Sequence, residues 1–118
     1  MPLGVLALLV AAGLVACPVH ATPVDHSLSE GRQLAESCRS SGATARAMCL
    51  GYLAAIADDV RHQQATDQGQ ASPCLPPGTT LELYREAWLT YAAANPEILS
   101  RRSFPAVKAA LAARWPCR

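Results

Sequence analysis

The segment from Cys74 to Cys117 constrains the fold of this chain more than any other part of the sequence. It contains two stretches with apolar residues at helical spacing, and Pro96 lies near its midpoint, 22 residues after the first cysteine and 21 before the second. Because proline cannot continue a helix, we expect the chain to turn there and to return antiparallel. That turn would bring Cys74 and Cys117 together, so that a disulfide could close the open end of a helical hairpin.

Apolar spacing predicts two more helices before this hairpin. The four helices are expected at about 27–38, at about 43–64, at about 80–94, and from Ser103 toward the C-terminus. No segment alternates at period two for long enough to predict a strand, so the predicted fold class is all-α, a small bundle of about four helices. The residues expected to face the core recur at spacings of three and four: Leu28, Leu34, Ala35, Met48, Tyr52, Leu53, Ile56, Val60, Leu81, Tyr84, Trp88, Tyr91, Ala92, Phe104, Val107, Leu111 and Trp115.

Capping residues predict where three of the helices begin. Ser27 with Glu30, and Thr79 with Glu82, fit the capping box in which a hydroxyl and a carboxylate satisfy free N–H groups. Ser103 is expected to cap the fourth helix.

Two glycines interrupt the helical pattern. Gly31 is expected to weaken the first helix by about 1 kcal/mol relative to alanine. Gly51 lies in the middle of the second helix, and we expect the reason to be close approach by the backbone of a neighbouring helix.

The N-terminus predicts export. Residues 2–16 are apolar and uncharged, which is short for a bilayer span but typical of the apolar region of a secretory signal peptide. Cleavage after Ala21 would release a mature domain of residues 22–118, whereas the sequence Leu14-Val15-Ala16-Cys17 resembles a lipobox that would lipidate Cys17. We favour release after Ala21, with residues 1–21 as the signal peptide and membrane attachment only if Cys17 is lipidated.

Four cysteines remain in the mature domain, and an even number in an oxidising compartment implies two disulfides with three conceivable pairings. A turn at residues 40–42 would bring Cys38 and Cys49 together. The hairpin described above joins Cys74 and Cys117. The predicted pairing is therefore Cys38–Cys49 and Cys74–Cys117.

The sequence contains no convincing catalytic or metal-binding constellation. The formal charge of +1 gives no reason to expect nucleic acid. Asp58 and Asp59 are adjacent on a helix and would point about 100° apart, which suits a solvated face better than acid–base catalysis. Asp58 and His62 could supply two metal ligands but lack a third. We therefore expect no enzyme activity, no metal and no cofactor. A basic strip could be formed by Arg101, Arg102, Lys108 and Arg114, but we favour a plain polar face, because Glu97 and solvent would neutralise most of the charge.

Four short motifs carry a family resemblance: CLGY at 49–52 followed by Asp58, CLP at 74–76, NPE at 95–97 and WPC at 115–117. In this order and spacing they resemble the Rap/Tai family of bacterial immunity proteins, over about residues 34–117. Position 95 departs from the family pattern, in which histidine is more usual before Pro-Glu.

The resemblance implies a periplasmic, disulfide-bonded helical protein that binds a type VI secretion effector, a peptidoglycan amidase. Such proteins occlude the active-site cleft of the effector and thereby protect the producing cell and its kin. Family members are often dimers, so a homodimer is a further expectation.

The resemblance transfers no binding residue, so the contact surface is predicted from exposure alone. The polar loop that follows the second helix offers side chains able to enter a cleft: Gln64, Asp67, Gln68 and Gln70. An alternative function from a different class is a small periplasmic helical chaperone that binds unfolded clients at low pH, opening an apolar face when its carboxylates are protonated.

Overall fold

The computed structural model describes Pro18, residues 27–66 and residues 73–118. These residues form four α-helices and one 3₁₀ turn: α1 at Gly31–Arg39, α2 at Ala43–Ala65, α3 at Leu81–Ala94, the 3₁₀ turn at Pro96–Ser100, and α4 at Ser103–Arg114. The predicted all-α fold class is confirmed. The predicted signal peptide, Cys17 and most of the predicted binding loop lie outside the described residues.

The helices pack as two hairpins. α1 packs against α2, α3 packs against α4, and α2 crosses both helices of the second hairpin. The 3₁₀ turn between α3 and α4 lies against α1. Alanine supplies many of the buried positions, and small side chains let helix axes approach closely: Ala35, Ala57, Ala87, Ala92, Ala106 and Ala110.

Both predicted disulfides are confirmed. Cys38–Cys49 joins α1 to α2 across 11 residues, and Cys74–Cys117 joins the ends of the α3–α4 hairpin across 43 residues. On the chain-entropy model the shorter loop contributes about 3 kcal/mol and the longer loop about 4 kcal/mol. Each is a large share of the roughly 5–15 kcal/mol that stabilises a typical domain.

Most of the residues predicted to face the core are buried, but the prediction is wrong at the starts of α3 and α4. Fully or nearly fully buried are Leu34, Ala35, Leu53, Ile56, Val60, Tyr84, Trp88, Ala92, Val107 and Leu111. Leu81 is 39% exposed and Phe104 is 43% exposed, so neither is a core residue. On α4 the buried face begins with the small residues Ser103, Ala106 and Ala110, and Phe104 lies about 100° away from that face.

The predicted capping box of Ser27 and Glu30 is wrong, because this segment is extended and pairs with the chain before α4. Glu30 and Arg102 form an isolated antiparallel bridge. The Gly31 N–H donates to the Arg101 carbonyl at 2.8 Å, and α1 begins without a side-chain cap. A distant backbone segment therefore satisfies the N–H group that a cap would otherwise serve.

The cap of α3 is displaced by one residue from its predicted position. The Thr80 hydroxyl accepts from the Leu83 N–H at 3.3 Å, whereas the Thr79 hydroxyl donates to the Pro76 carbonyl at 2.7 Å. Glu82 does not reach back to complete a capping box.

Glu82 instead joins three helices at one end of the bundle. Its carboxylate lies 2.6 Å from the Arg46 guanidinium of α2 and 3.3 Å from that of Arg85. Arg85 also donates through Nε to the Cys38 carbonyl, in the last turn of α1, at 2.7 Å. A cation is favourable at this helix end, because the free carbonyls there carry partial negative charge.

Ser103 is not the cap of α4 but its first residue, preceded by Arg102 as the cap position. Its side chain is fully buried, and its hydroxyl has no hydrogen-bond partner among the described residues. The predicted capping role of Ser103 is therefore wrong.

Close backbone approach occurs at Gly31 and not, as predicted, at Gly51. A Cβ atom at Gly31 would lie 2.6 Å from the Ile98 carbonyl oxygen and 3.2 Å from the Leu99 Cα. At Gly51 an added Cβ would meet nothing within 4 Å. The 3₁₀ turn can therefore lie against the start of α1 only because residue 31 has no side chain.

These two glycines should respond oppositely to alanine. Gly31→Ala should lower the free energy of unfolding by about 1–3 kcal/mol, because the new methyl group collides with backbone that cannot move freely. Gly51→Ala should raise it by about 1 kcal/mol through improved helix propensity. Urea unfolding of the oxidised proteins measures both changes, and a stabilised Gly31→Ala variant would contradict the packing described for the 3₁₀ turn.

Candidate interaction surface

The candidate functional surface is a seam formed by two residues of α2 and two residues of α4. We define the α2/α4 seam as Asp59, Gln63, Phe104 and Lys108. Within each helix the two residues are four positions apart, so they lie on the same face one turn from each other. The seam lies near the C-terminal end of α2, where the chain leaves toward the predicted binding loop.

Three polar side chains of the seam form one connected network. Lys108 Nζ donates to Gln63 Oε1 at 3.0 Å, and Gln63 Nε2 donates to Asp59 Oδ2 at 2.9 Å. Lys108 Nζ also lies 3.8 Å from Asp59 Oδ2. The lysine side chain is 24% exposed and the aspartate 39%, so the ion pair itself contributes little to stability. The network does connect α4 to α2 directly through side chains.

Phe104 is the exposed apolar part of the seam. Lys108 Nζ lies 5.5 Å from the centre of its ring, within the range of a cation–π contact. The ring belongs to the first turn of α4 and is the chain's single phenylalanine. An exposed aromatic side chain on a fixed helix is a typical anchor in protein interfaces, where aromatic residues are enriched.

A second aromatic cluster connects α2 and α3 with the C-terminal disulfide. The Tyr84 and Trp115 rings meet edge to face, with centres 5.7 Å apart and planes at 84°. The Arg61 guanidinium lies 5.8 Å from the Tyr84 ring centre. Tyr84 is buried and Trp115 is half-buried, so neither ring is a free stacking platform.

The structure places one of the four predicted contact residues. Gln64 lies in the last turn of α2 and is half-buried, and its side chain makes no hydrogen bond to another described residue. It points about 100° away from Gln63 and is therefore not part of the seam. Asp67, Gln68 and Gln70 lie outside the described residues.

Both ends of the predicted binding loop are anchored. On the α2 side, the Thr66 hydroxyl donates to the His62 carbonyl at 3.0 Å. On the other side, Pro73 is buried, and the Cys74 N–H donates to the Trp115 carbonyl at 2.9 Å. The loop therefore leaves and rejoins the bundle at defined points.

The candidate catalytic and metal-binding residues all lie on α2, where Asp58 and His62 are one turn apart. Asp58 is exposed, whereas Asp59 belongs to the seam network. Across residues 27–66 and 73–118, no group of three or more His, Cys, Asp or Glu side chains could hold a metal ion. In the same part of the chain, no helix has the length and apolar character needed to cross a membrane.

The four cations considered as a basic strip lie in three separate places. Arg101 and Arg102 line a polar cavity of about 370 Å³ beside the start of α1. Lys108 belongs to the seam, and the Arg114 guanidinium lies 5.5 Å from the Trp115 ring centre. The four cations therefore do not form a continuous surface.

Sequence reasoning missed the seam because its members were assigned to different categories. Phe104 was predicted to be core, Lys108 to belong to a plain polar face, and Asp59 to be a solvated residue. The i, i+4 spacing within each helix was visible in the sequence. The register of α4 on α2, which joins the two pairs, depends on tertiary packing.

Comparison with known proteins adds one match. No curated protein and no solved structure matches the chain. The family model of the Rap1a immunity proteins matches residues 30–117, which include all four helices, both disulfides and the α2/α4 seam. Membership implies immunity against secreted effectors through binding of a cognate effector protein, a non-enzymatic role. Because the match covers most of the chain and agrees with the resemblance seen in its motifs, this protein belongs to the Rap1a immunity proteins.

Proposed function

We propose that this chain is a periplasmic immunity protein that binds a peptidoglycan amidase delivered by type VI secretion and blocks its active-site cleft. Family membership supports immunity against a secreted effector. The amidase target follows from the resemblance of the CLGY, CLP, NPE and WPC motifs. The apolar N-terminus and the two disulfides support export to an oxidising compartment.

The observation that carries this proposal is an exposed aromatic anchor on a rigid frame. Phe104 is 43% exposed, and its helix is held to α2 by the Lys108 network. Two disulfides limit the motion of the helices behind it. A surface that is already rigid loses little conformational entropy on binding, which favours tight inhibition.

The binding loop and the seam are neighbours along α2. Lys108 binds Gln63, and the first residue after Thr66, Asp67, follows four residues later. In the proposed complex Gln64, Asp67, Gln68 and Gln70 enter the cleft of the effector, and Phe104 packs on its rim.

A homodimer forms part of this proposal, through a groove between α3 and α4. The groove has a volume of about 330 Å³ and a floor of small residues that include Ala87, Ala110 and Ala113. Glu86 and Arg114 line its two sides, and neither forms an ion pair with another described residue. A two-fold axis across the groove would place Glu86 of each copy near Arg114 of the other. The α2/α4 seam belongs to a different side of α4 and stays available for the effector.

The low-pH chaperone function is less well supported by the described residues. Their ion-paired carboxylates are Asp59 and Glu82, and these side chains are 39% and 50% exposed. Ion pairs this exposed contribute little to the stability of the fold. Their loss would therefore be a weak means of opening an apolar face.

The first prediction concerns the partner. Purification of the tagged, oxidised protein from the periplasm of effector-producing cells should recover a secreted protein with peptidoglycan amidase activity. Mass spectrometry and an amidase assay on the eluate test this. Recovery of an effector with a different activity would contradict the amidase target and leave family membership intact.

The second prediction concerns Phe104. Phe104→Ala should weaken effector binding by about 30-fold, since loss of an interface anchor costs about 2 kcal/mol. Leu81→Ala is the matched control, because Leu81 is similarly exposed at 39% and lies on α3, away from the seam. Calorimetric titration of the effector with each variant measures the dissociation constants. Equal affinities for both variants would exclude Phe104 as the anchor.

The third prediction concerns the loop. Alanine at Gln64, Asp67, Gln68 and Gln70 together should abolish inhibition in a peptidoglycan hydrolysis assay while leaving the unfolding midpoint nearly unchanged. The control replaces Asp58 and His62, two exposed α2 residues outside the loop and the seam. Full inhibition by the fourfold variant would rule out the loop as the segment that enters the cleft.

A further inference from the structure

We propose that Cys74–Cys117 is a thiol–disulfide exchange site that a dithiol reductant opens in the folded protein while Cys38–Cys49 stays closed. The effect that opening this disulfide should have on effector binding rests on the proposed function, whereas the exchange site itself does not rest on it.

The two bridges differ sharply in exposure. Cys38 and Cys49 are both 0% exposed and lie in the core with Leu34 and Leu53. Cys74 is exposed and Cys117 is half-buried. Exchange requires a thiolate to reach a disulfide sulfur directly. The core bridge is therefore protected until the helices separate, whereas the terminal bridge can be attacked in the native state.

The chain around the exposed bridge also favours attack by an anion. Residues 73–79 and 115–118 contain no Asp or Glu, and the exposed Arg118 directly follows Cys117. A nearby cation stabilises a thiolate, both as the attacking group and as the leaving group.

The exchange proceeds in two balanced steps. A thiolate of the dithiol attacks the Cys74 sulfur, and the electron pair of the broken S–S bond passes to Cys117, which takes a proton from water. The second thiol of the reductant then loses its proton and attacks the sulfur joined to Cys74. This step releases Cys74 as a thiol and the reductant as its disulfide. Two electrons pass to the protein, and a disulfide oxidant reverses the sequence.

The bridge holds contacts that reach the other helices. It keeps the Cys74 N–H on the Trp115 carbonyl and Trp115 against Tyr84, which in turn lies under Arg61 of α2. It also fixes the chain directly after Pro73, where the binding loop rejoins the bundle. Opening the bridge removes the covalent tie at this end of the loop and leaves only the burial of Pro73 and the Cys74 N–H bond to hold it, while the buried bridge still joins α1 to α2. Given the proposed function, the singly reduced protein should bind its effector more weakly.

Differential alkylation tests the exchange site without any partner. The oxidised full chain is exposed to dithiothreitol in native buffer, sampled over time into iodoacetamide, and mapped by peptide mass spectrometry after a second, isotopically distinct label. Cys74 and Cys117 should be labelled at least about tenfold faster than Cys38 and Cys49. In guanidinium chloride the difference should disappear. Equal rates in native buffer, or earlier labelling of the core bridge, would overturn the proposal.

Fluorescence tests whether the fold survives the step. The two tryptophans are the fully buried Trp88 and the half-buried Trp115, so selective reduction should shift part of the emission to longer wavelength. The Trp115→Phe variant should lose this shift, and far-UV circular dichroism should change little. Loss of helical signal in step with labelling would show global unfolding and would overturn selective opening.

The coupling to binding has its own readout. A Cys74→Ser, Cys117→Ser variant and the selectively reduced wild-type protein should both show about tenfold weaker effector binding than the oxidised protein. Equal affinity of the oxidised and singly reduced wild-type forms would overturn the coupling, even if the double variant failed to fold. Absence of effector binding by the oxidised protein would refute the proposed function and leave the alkylation result standing.

Discussion

This structure depends on close packing between helix faces that carry small side chains. The chain has one phenylalanine and two tryptophans, so alanines must fill much of the core. Small side chains give little apolar burial per residue but permit short distances between helices. At Gly31 the requirement is strictest, because a Cβ atom there would lie 2.6 Å from the Ile98 carbonyl oxygen. Two disulfides supply the stability that such a core lacks.

Local pattern and cysteine geometry predicted most of this fold. The helix spans were right to within a few residues, because spacings of three and four residues reflect a single buried face. Both bridges followed from the turns at residues 40–42 and at Pro96, since an antiparallel hairpin brings residues on either side of its turn together. Cys74 and Cys117 are nearly equidistant from Pro96, whereas Cys38 lies closer to its turn than Cys49 does. The helices depend on interactions between residues close in sequence, and the disulfides depend on the chain turning back antiparallel at each hairpin.

The errors share a cause in packing between distant segments. Ser27 and Glu30 resemble a capping box, but backbone groups beyond residue 100 already satisfy the N–H of Gly31. Phe104 was assigned to the core because of its helical spacing with Val107 and Leu111, whereas the buried face of α4 begins with Ser103 and Ala106. Close approach by a neighbouring backbone was predicted at Gly51, but it occurs at Gly31. In each case the local signal was real, and a tertiary contact absent from the local sequence decided the outcome.

The same reasoning explains why the candidate surface was only half visible in the sequence. A polar loop can be recognised by composition, but the seam exists because Lys108 meets Gln63 across two helices. The loop and the seam are also connected through the same two helices. One end of the loop continues α2, and the other end is linked through the Cys74–Cys117 disulfide to the chain after α4. A chain with few large core residues cannot hold a long loop by apolar burial alone, so a covalent tie is the available means. Cys74 is exposed whereas both cysteines of the other bridge are buried, so the bond proposed to tie the binding loop is also the more exposed of the two disulfides.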